Sequence, residues 1–315
     1  MIRIAAASIL LPLLSLLAGT AQAELKLVTS IKPLHSLVSA VAGDKATVEV
    51  LVSGNASPHG FSLKPSQARA IADADAVFWI GPEFERFLAR SLVGLRGGAH
   101  APMIELDDLE LLPYRELPSD ADTHAHSHAD DAAHDASARK DERHERGKID
   151  MHIWLSPANG IVMLDAIAER LAALDPENGD VYKSNAAAWR ARIADVDESI
   201  AATLASSGDL RYAVFHDAYR YFENRYGLEP TAILTLQAEL APGAKRVREL
   251  RQLIRDENVS CVFSEAQFGD QLAMLVSEGS DARVVEIDPL GSGIDEGAAL
   301  YTELLRRLGN VIAGC

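Results

Sequence analysis

The sequence predicts an α/β protein of two Rossmann-like lobes, each with a mainly parallel sheet, joined by a long linking α-helix. Three observations indicate this class. Short β-type runs alternate with helical patterns in both halves of the chain. In the middle of the chain, apolar residues recur at helical spacing over a long stretch. The chain that remains after a predicted leader is removed has about 290 residues, which is enough for two domains.

The first half alternates strands and helices. Pro33 in the first turn of the first helix costs little, because a proline there has no hydrogen bond to lose, and Gly43 ends that helix. The predicted strands are 24–30, 46–52, 76–80 and 101–106, and the predicted helices are 31–42, 65–74 and 84–92.

The middle of the chain is predicted to be helical. A helix over 159–174 is followed by Asp175-Pro176, which begin a second helix that reaches Ser206. As one helix its 31 residues would span about 46 Å, long enough to run along both lobes. The alternative is two shorter helices broken near Asn178-Gly179.

The second half repeats the alternation. Its predicted strands are 211–215, 230–236, 259–263 and 283–287, and its predicted helices are 218–226, 244–257, 269–279 and 297–308. These patterns predict four parts: a signal peptide (1–23), an N-terminal lobe (24–157), a helical connection (158–206) and a C-terminal lobe (207–315).

The leader has the pattern of a cleavable secretory signal. Arg3 precedes an apolar run that ends in Ala21-Gln22-Ala23, an A-x-A cleavage site. The run is about 15 residues long, and a transmembrane anchor, which is the alternative, needs about 20. The residue directly after the cleavage point is Glu24 and not cysteine, so we expect no lipid anchor. An exported protein is predicted.

The net charge limits the possible binding partners, and the two cysteines indicate a disulfide. The formal net charge is −16, and it becomes −17 once Arg3 is removed, which argues against nucleic acid or anionic membrane as a partner. In an oxidising compartment Cys261 and Cys315 predict a disulfide, with two free thiols as the alternative. Closing this 54-residue span could stabilise the fold by about 4 kcal/mol.

A histidine-rich and aspartate-rich insert, 119–149, interrupts the N-terminal lobe. It has almost no large apolar residues, so we expect a mobile loop that contributes nothing to a core. Five of the chain's ten histidines lie in it: His124, His126, His128, His134 and His144. The density of imidazole predicts weak binding of metal ions, and a solvated spacer is the alternative.

Four polar residues outside this insert lie just after predicted strands or beside loops. They are His59, His152, His216 and Asp288, two from each half. Ligands of α/β sheets bind beyond the carboxyl ends of the strands, so these side chains are predicted to converge in the cleft between the lobes. Three imidazoles and one carboxylate or water form a tetrahedral zinc set, although imidazole also suits copper and nickel.

Several stretches resemble the periplasmic zinc-binding proteins of bacterial ABC importers, within the wider cluster A-I of metal-binding proteins. The matching stretches are ASPHGFSLKPSQ (56–67), DMHIWLSP (150–157), VFHDAYRYF (214–222), FSEAQF (263–268) and EIDPLG (286–291). They are spread along nearly the whole chain after the leader.

The resemblance implies zinc ligation by His59, His152 and His216, whereas manganese-binding relatives usually carry glutamate at the place of His216. It leaves three roles open for Asp288: direct ligation, ligation through water, or acceptance of a hydrogen bond. It also implies a Cys261–Cys315 disulfide, a periplasmic location and delivery of zinc to an ABC permease by a monomer without catalysis. A manganese or iron binding protein is the first alternative, and a zinc hydrolase is the second.

Overall fold

Two parallel β-sheets, each flanked by helices, organise the fold and confirm the predicted class. The structure, a computed structural model, describes residues 24–92, 99–115, 149–235 and 238–315. The signal peptide and the five histidines of the insert lie outside these ranges. The lobe boundaries given above stay predictions.

The first sheet has the spatial order β2-β1-β3-β4, with every pair of neighbours parallel. Its strands are β1 (Leu25–Ile31), β2 (Ala46–Val52), β3 (Ala76–Trp79) and β4 (His100–Pro102), and its helices are α1 (Lys32–Ala42), α2 (Pro65–Asp73) and α3 (Arg86–Leu92). The side chains of β3 are buried throughout, as expected for a strand covered on both faces.

The fourth strand is shorter than the predicted 101–106. The chain leaves the sheet in a 3₁₀ turn at Met103–Glu105, where the backbone N of Ile104 donates to the carbonyl of Ile80 at 2.9 Å. Met103 and Ile104 are buried. Their apolar side chains therefore pack at the end of the sheet instead of extending its edge.

In the middle of the chain a 3₁₀ turn at Ile153–Leu155 is followed by α4 (Pro157–Leu174) and α5 (Gly179–Ala205). The long helix α5 is a single helix of 27 residues, about 40 Å long. It begins at Gly179 instead of Pro176, because 176–178 form a separate 3₁₀ turn. No helix in the described ranges is both long and apolar enough to cross a membrane.

The second sheet has the order β6-β5-β7-β8 and is again parallel throughout. Its strands are β5 (Tyr212–His216), β6 (Ala232–Thr235), β7 (Cys261–Glu265) and β8 (Arg283–Ile287). Its helices are α6 (Arg220–Tyr226), α7 (Ala244–Asp256), α8 (Gln271–Ser277) and α9 (Leu300–Ala313). The strand order matches that of the first sheet, so both lobes share one topology.

Helix α5 packs against α1 of the first lobe and α9 of the second. Hydrogen bonds also join the two lobes. Lys32 Nζ, buried in the first lobe, donates to the carbonyls of Ser292 and Ile294 at 3.1 and 2.6 Å. Trp154 Nε1 donates to the carbonyl of Pro289 at 2.8 Å, and Tyr301 Oη donates to the carbonyl of Trp154 at 2.7 Å. These contacts restrict the relative motion of the lobes.

The predicted disulfide between Cys261 and Cys315 is confirmed. Cys261 is the first residue of β7, and Cys315 follows α9. The bond therefore fixes the end of the chain to the second sheet, at the opposite end of β7 from Glu265.

Candidate metal centre

Three histidines from three separate segments meet in the cleft between the lobes. His59 lies in the loop after β2, His152 precedes the 3₁₀ turn at Ile153–Leu155, and His216 is the last residue of β5. Their ring centroids are 5.3 to 5.8 Å apart. One ligand atom from each ring lies within 4.8 Å of the others. The structure thus brings together the three histidines that the sequence predicts as ligands.

His152 is held by a buried carboxylate two residues earlier. Asp150 Oδ1 accepts from the backbone N of His152 at 3.0 Å and lies 2.7 Å from its Nδ1. Because Nδ1 takes this contact, Nε2 is the atom available to an ion. Burial lowers the pKa of His152 to about 3 and raises the pKa of Asp150 to about 7. The ring is therefore neutral at physiological pH, as a metal ligand must be.

His216 has the same arrangement with a carboxylate from the neighbouring strand. Glu265, the last residue of β7, places Oε1 2.8 Å from Nδ1 of His216. Burial lowers the pKa of His216, but the charge and hydrogen bond of Glu265 outweigh it, so the pKa lies above its ordinary value. His216 Nε2 is buried, and no hydrogen-bond partner for it occurs in the described parts of the chain. A bound cation would satisfy that lone pair.

His59 is the exposed member of the cluster. Its ring meets the edge of Phe84 with centroids 5.0 Å apart. Burial of the imidazole and, less strongly, the neighbouring His152 and His216 lower the pKa of His59 to about 3. Glu85 fixes the turn that carries Phe84, since its carboxylate accepts from the backbone N of Ile80 and Gly81 at 3.0 and 2.8 Å.

Asp288 does not join the three histidines. Its carboxylate accepts hydrogen bonds from Gln267 Nε2 and the backbone N of Leu290, both at 3.0 Å, and from the backbone N of Ser292. Among the described residues, the only group of histidine, cysteine or acidic side chains close enough to hold one ion is His59, His152 and His216. Asp288 therefore shapes the loop after β8 and contacts Gln267, which lines the site.

Comparison with known proteins agrees with this geometry. Residues 27–315 match the family described as zinc-uptake complex component A, periplasmic. The chain belongs to this family. Among curated members, the high-affinity zinc uptake system protein ZnuA of Brucella abortus (strain 2308) is 38% identical over 304 residues, covering 91% of this chain and 90% of that protein. The ZnuA of Yersinia pestis is 34% identical over 298 residues, covering 93% and 92%.

Solved structures related to the zinc-uptake component A family share the fold. A crystal structure of ZnuA superposes with a TM-score of 0.72 at 24% identity, covering 92% of this chain and 99% of that one. A zinc-bound ZnuA deletion mutant gives a TM-score of 0.71 at 25% identity, covering 92% and 98%. The resemblance to zinc-importer binding proteins predicted from the sequence motifs is confirmed.

In this member of the zinc-uptake component A family, Asp150 and Glu265 are the site residues that the sequence predictions missed. Each lies inside a stretch that resembles the family, DMHIWLSP and FSEAQF. Asp150 carried a signal in its spacing of two residues from His152. Glu265 could be noticed only as an acidic residue that closely follows the predicted strand 259–263, because the pairing of β7 with β5 is seen only in the structure.

Proposed function

We propose that this protein captures zinc(II) in the periplasm and delivers it to the permease of an ABC importer. The observation that carries the proposal is the convergence of His59, His152 and His216 from separate segments of the fold. Membership of the zinc-uptake component A family supports the same conclusion, as do curated relatives whose names state high-affinity zinc uptake.

The donor set fits zinc better than manganese. Three neutral imidazoles form the nitrogen-rich, four-coordinate site that zinc prefers, whereas manganese prefers carboxylate and water oxygens. Ligand nitrogens of a tetrahedral zinc with bonds of about 2.0–2.1 Å lie roughly 3.4 Å apart. The ligand atoms lie within 4.8 Å of one another, which is close to the spacing that a tetrahedral zinc ion requires.

Binding and release without chemical turnover is the mechanism that we infer. Asp150 and Glu265 orient His152 and His216, and His59, an exposed residue of the loop after β2, completes the site. The sequence has neither a G-x-S-x-G nor an H-E-x-x-H motif, which disfavours a zinc hydrolase.

The periplasmic location is inferred from the predicted signal peptide, and the permease partner is inferred from family membership. We infer export through the signal peptide 1–23, cleaved after Ala23, and docking of the loaded protein on the membrane subunit of a zinc importer. The histidine-rich insert is proposed to bind further zinc weakly. Uptake by cells that express the chain without residues 119–148 of this insert, together with the zinc stoichiometry of the purified variant, tests this role. If uptake and stoichiometry are both unchanged, the insert is a spacer.

Metal competition on the full chain tests the proposed function. The metal-stripped parent should bind zinc tightly and prefer it to manganese. The His216→Ala variant removes one of three ligands, so its loss of zinc affinity should exceed the about 10–100-fold that loss of a ligand's partner costs. The matched control is His100→Ala, which removes a histidine of the first sheet that lies outside the cluster. Preference of the parent for manganese would refute the proposal and favour the alternative of a manganese or iron carrier.

A further inference from the structure

The loop after β2, which carries His59, is held by a hydrogen bond from the other lobe. Ser57 Oγ donates to Oε1 of Glu239 at 2.7 Å. Glu239 lies between β6 and α7 of the second lobe, 182 residues along the chain from Ser57. The bond therefore joins the two lobes at a point two residues from a predicted zinc ligand.

Ser57 also holds the backbone of His59. Its Oγ accepts from the backbone N of His59 at 3.3 Å. A hydroxyl group can donate one hydrogen bond and accept another at the same time. The two contacts therefore form a continuous chain from the His59 N–H through the Ser57 hydroxyl to the Glu239 carboxylate. Hydrogen bonds in such a chain polarise one another, so the carboxylate strengthens the contact at His59.

The Glu239 carboxylate also packs against the residue on the other side of His59. A Cβ atom built on Gly60 would lie 3.4 Å from Cδ, Oε1 and Oε2 of Glu239. The carboxylate group therefore lies close to the backbone of Gly60, where a larger side chain would press against it. Glu239 thus contacts the loop at Ser57 and at Gly60, and these two residues lie on either side of His59.

The segment that carries Glu239 is fixed to the second sheet next to His216. Thr235, the last residue of β6, donates its hydroxyl to the carbonyl of Leu240 at 2.9 Å. Thr235 is buried and pairs in register with His216. A short path of contacts therefore runs from the strand that carries His216 to the loop that carries His59.

We propose that Glu239 is a positioning residue for His59, which it holds through Ser57 from the opposite lobe, and that this contact slows the release of zinc. This inference rests on the proposed function. Carboxylates at Nδ1 orient His152 and His216, and Glu239 acts on the third ligand through its backbone. Departure of the ion requires the three rings to separate, and movement of His59 away from the other two breaks the contact between the lobes. We therefore expect the contact to affect the dissociation rate more than the association rate.

A chelator chase of the zinc-loaded full chain tests the role of Glu239. Glu239→Ala should release zinc about three- to tenfold faster than the parent, because it loses a hydrogen bond to a carboxylate. Its association rate should change by less than about twofold. Glu239→Gln keeps an acceptor for the Ser57 hydroxyl, so its release rate should lie between those of the parent and Glu239→Ala. The matched control, Glu257→Ala, removes an exposed glutamate of the same lobe and should release zinc at the parent rate.

A double-mutant cycle tests whether Glu239 acts through Ser57. Ser57→Ala removes both contacts of the chain, so it should release zinc at least as fast as Glu239→Ala. Adding Glu239→Ala to Ser57→Ala should accelerate release by less than about twofold more, because the shared contact is already lost. Glu239 is exposed, so we expect each variant to be folded, which thermal unfolding of the metal-stripped proteins checks.

Two results would refute the positioning role and leave zinc capture by the histidines intact. One is a parent-like release rate in Glu239→Ala, and the other is full additivity of the two substitutions. Weak zinc binding by the parent protein would instead refute the proposed function itself.

Discussion

Removal of the Asp150 carboxylate should weaken zinc binding without removing any ligand. Asp150 is fully buried and holds His152 through two contacts, at 3.0 Å to the backbone N and 2.7 Å to Nδ1. Loss of such a partner of a ligating histidine costs 10–100-fold in metal affinity, or about 1.4–2.8 kcal/mol. We therefore expect Asp150→Ala to weaken zinc binding by this factor.

Asp150→Asn separates orientation from charge in the same position. The asparagine carbonyl can still accept from Nδ1 of His152, so we expect its loss in affinity to stay below about tenfold. Titration of the metal-stripped proteins against a zinc chelator measures both variants, and Asp44→Ala, which removes an exposed aspartate, is the control. Thermal unfolding without metal shows whether each variant is folded. Equal zinc affinity in folded Asp150→Ala and parent would refute the orienting role.

Three other predictions concern pH, packing and the disulfide. As the pH falls below the raised pKa of His216, zinc affinity should decrease about tenfold per pH unit, because zinc and one proton compete for that ring. Zinc affinity that does not change between pH 8 and pH 5 would contradict this prediction. Gly160→Ala places a methyl group against the Tyr301 hydroxyl, so α4 and α9 must separate. The free energy of unfolding should therefore fall by about 1–3 kcal/mol, which calorimetry would detect. An unchanged melting temperature would contradict this prediction. Reduction of the Cys261–Cys315 disulfide, which closes 54 residues, should lower the free energy of unfolding measured in urea by up to about 4 kcal/mol. The zinc stoichiometry should stay unchanged. Altered stoichiometry would show that the disulfide supports the site.

Local sequence signals predict the fold class, and the topological rule together with the family resemblance selects the three histidines that converge in the structure. Alternation of strands and helices depends on residue periodicity, and His216 stands at a strand end that turn residues and apolar runs reveal. The single long helix also follows from a continuous apolar stripe. Its start was misplaced at Pro176, because the Asp175 carboxylate accepts from Asn178 Nδ2 and Tyr182 Oη at 2.6 and 2.7 Å and holds a separate turn there.

The partners of the histidines required the three-dimensional arrangement. Glu265 reaches His216 because β5 and β7 are neighbours in the sheet, although 49 residues separate them along the chain. Periodicity predicts that a strand exists and leaves its neighbours in the sheet open. The same limit applies to Asp288, which the topological rule placed near the ligands. Its carboxylate is instead occupied by the loop after β8 and by Gln267.

An anomalous diffraction map at the zinc absorption edge, from crystals of the zinc-loaded protein, would locate the bound ion. We expect a strong peak about 2.0–2.1 Å from Nε2 of His152 and His216, with the ring of His59 completing the set. A strong peak that lacks any one of these three imidazoles, or a site of comparable occupancy elsewhere and none in the cleft, would contradict this expectation.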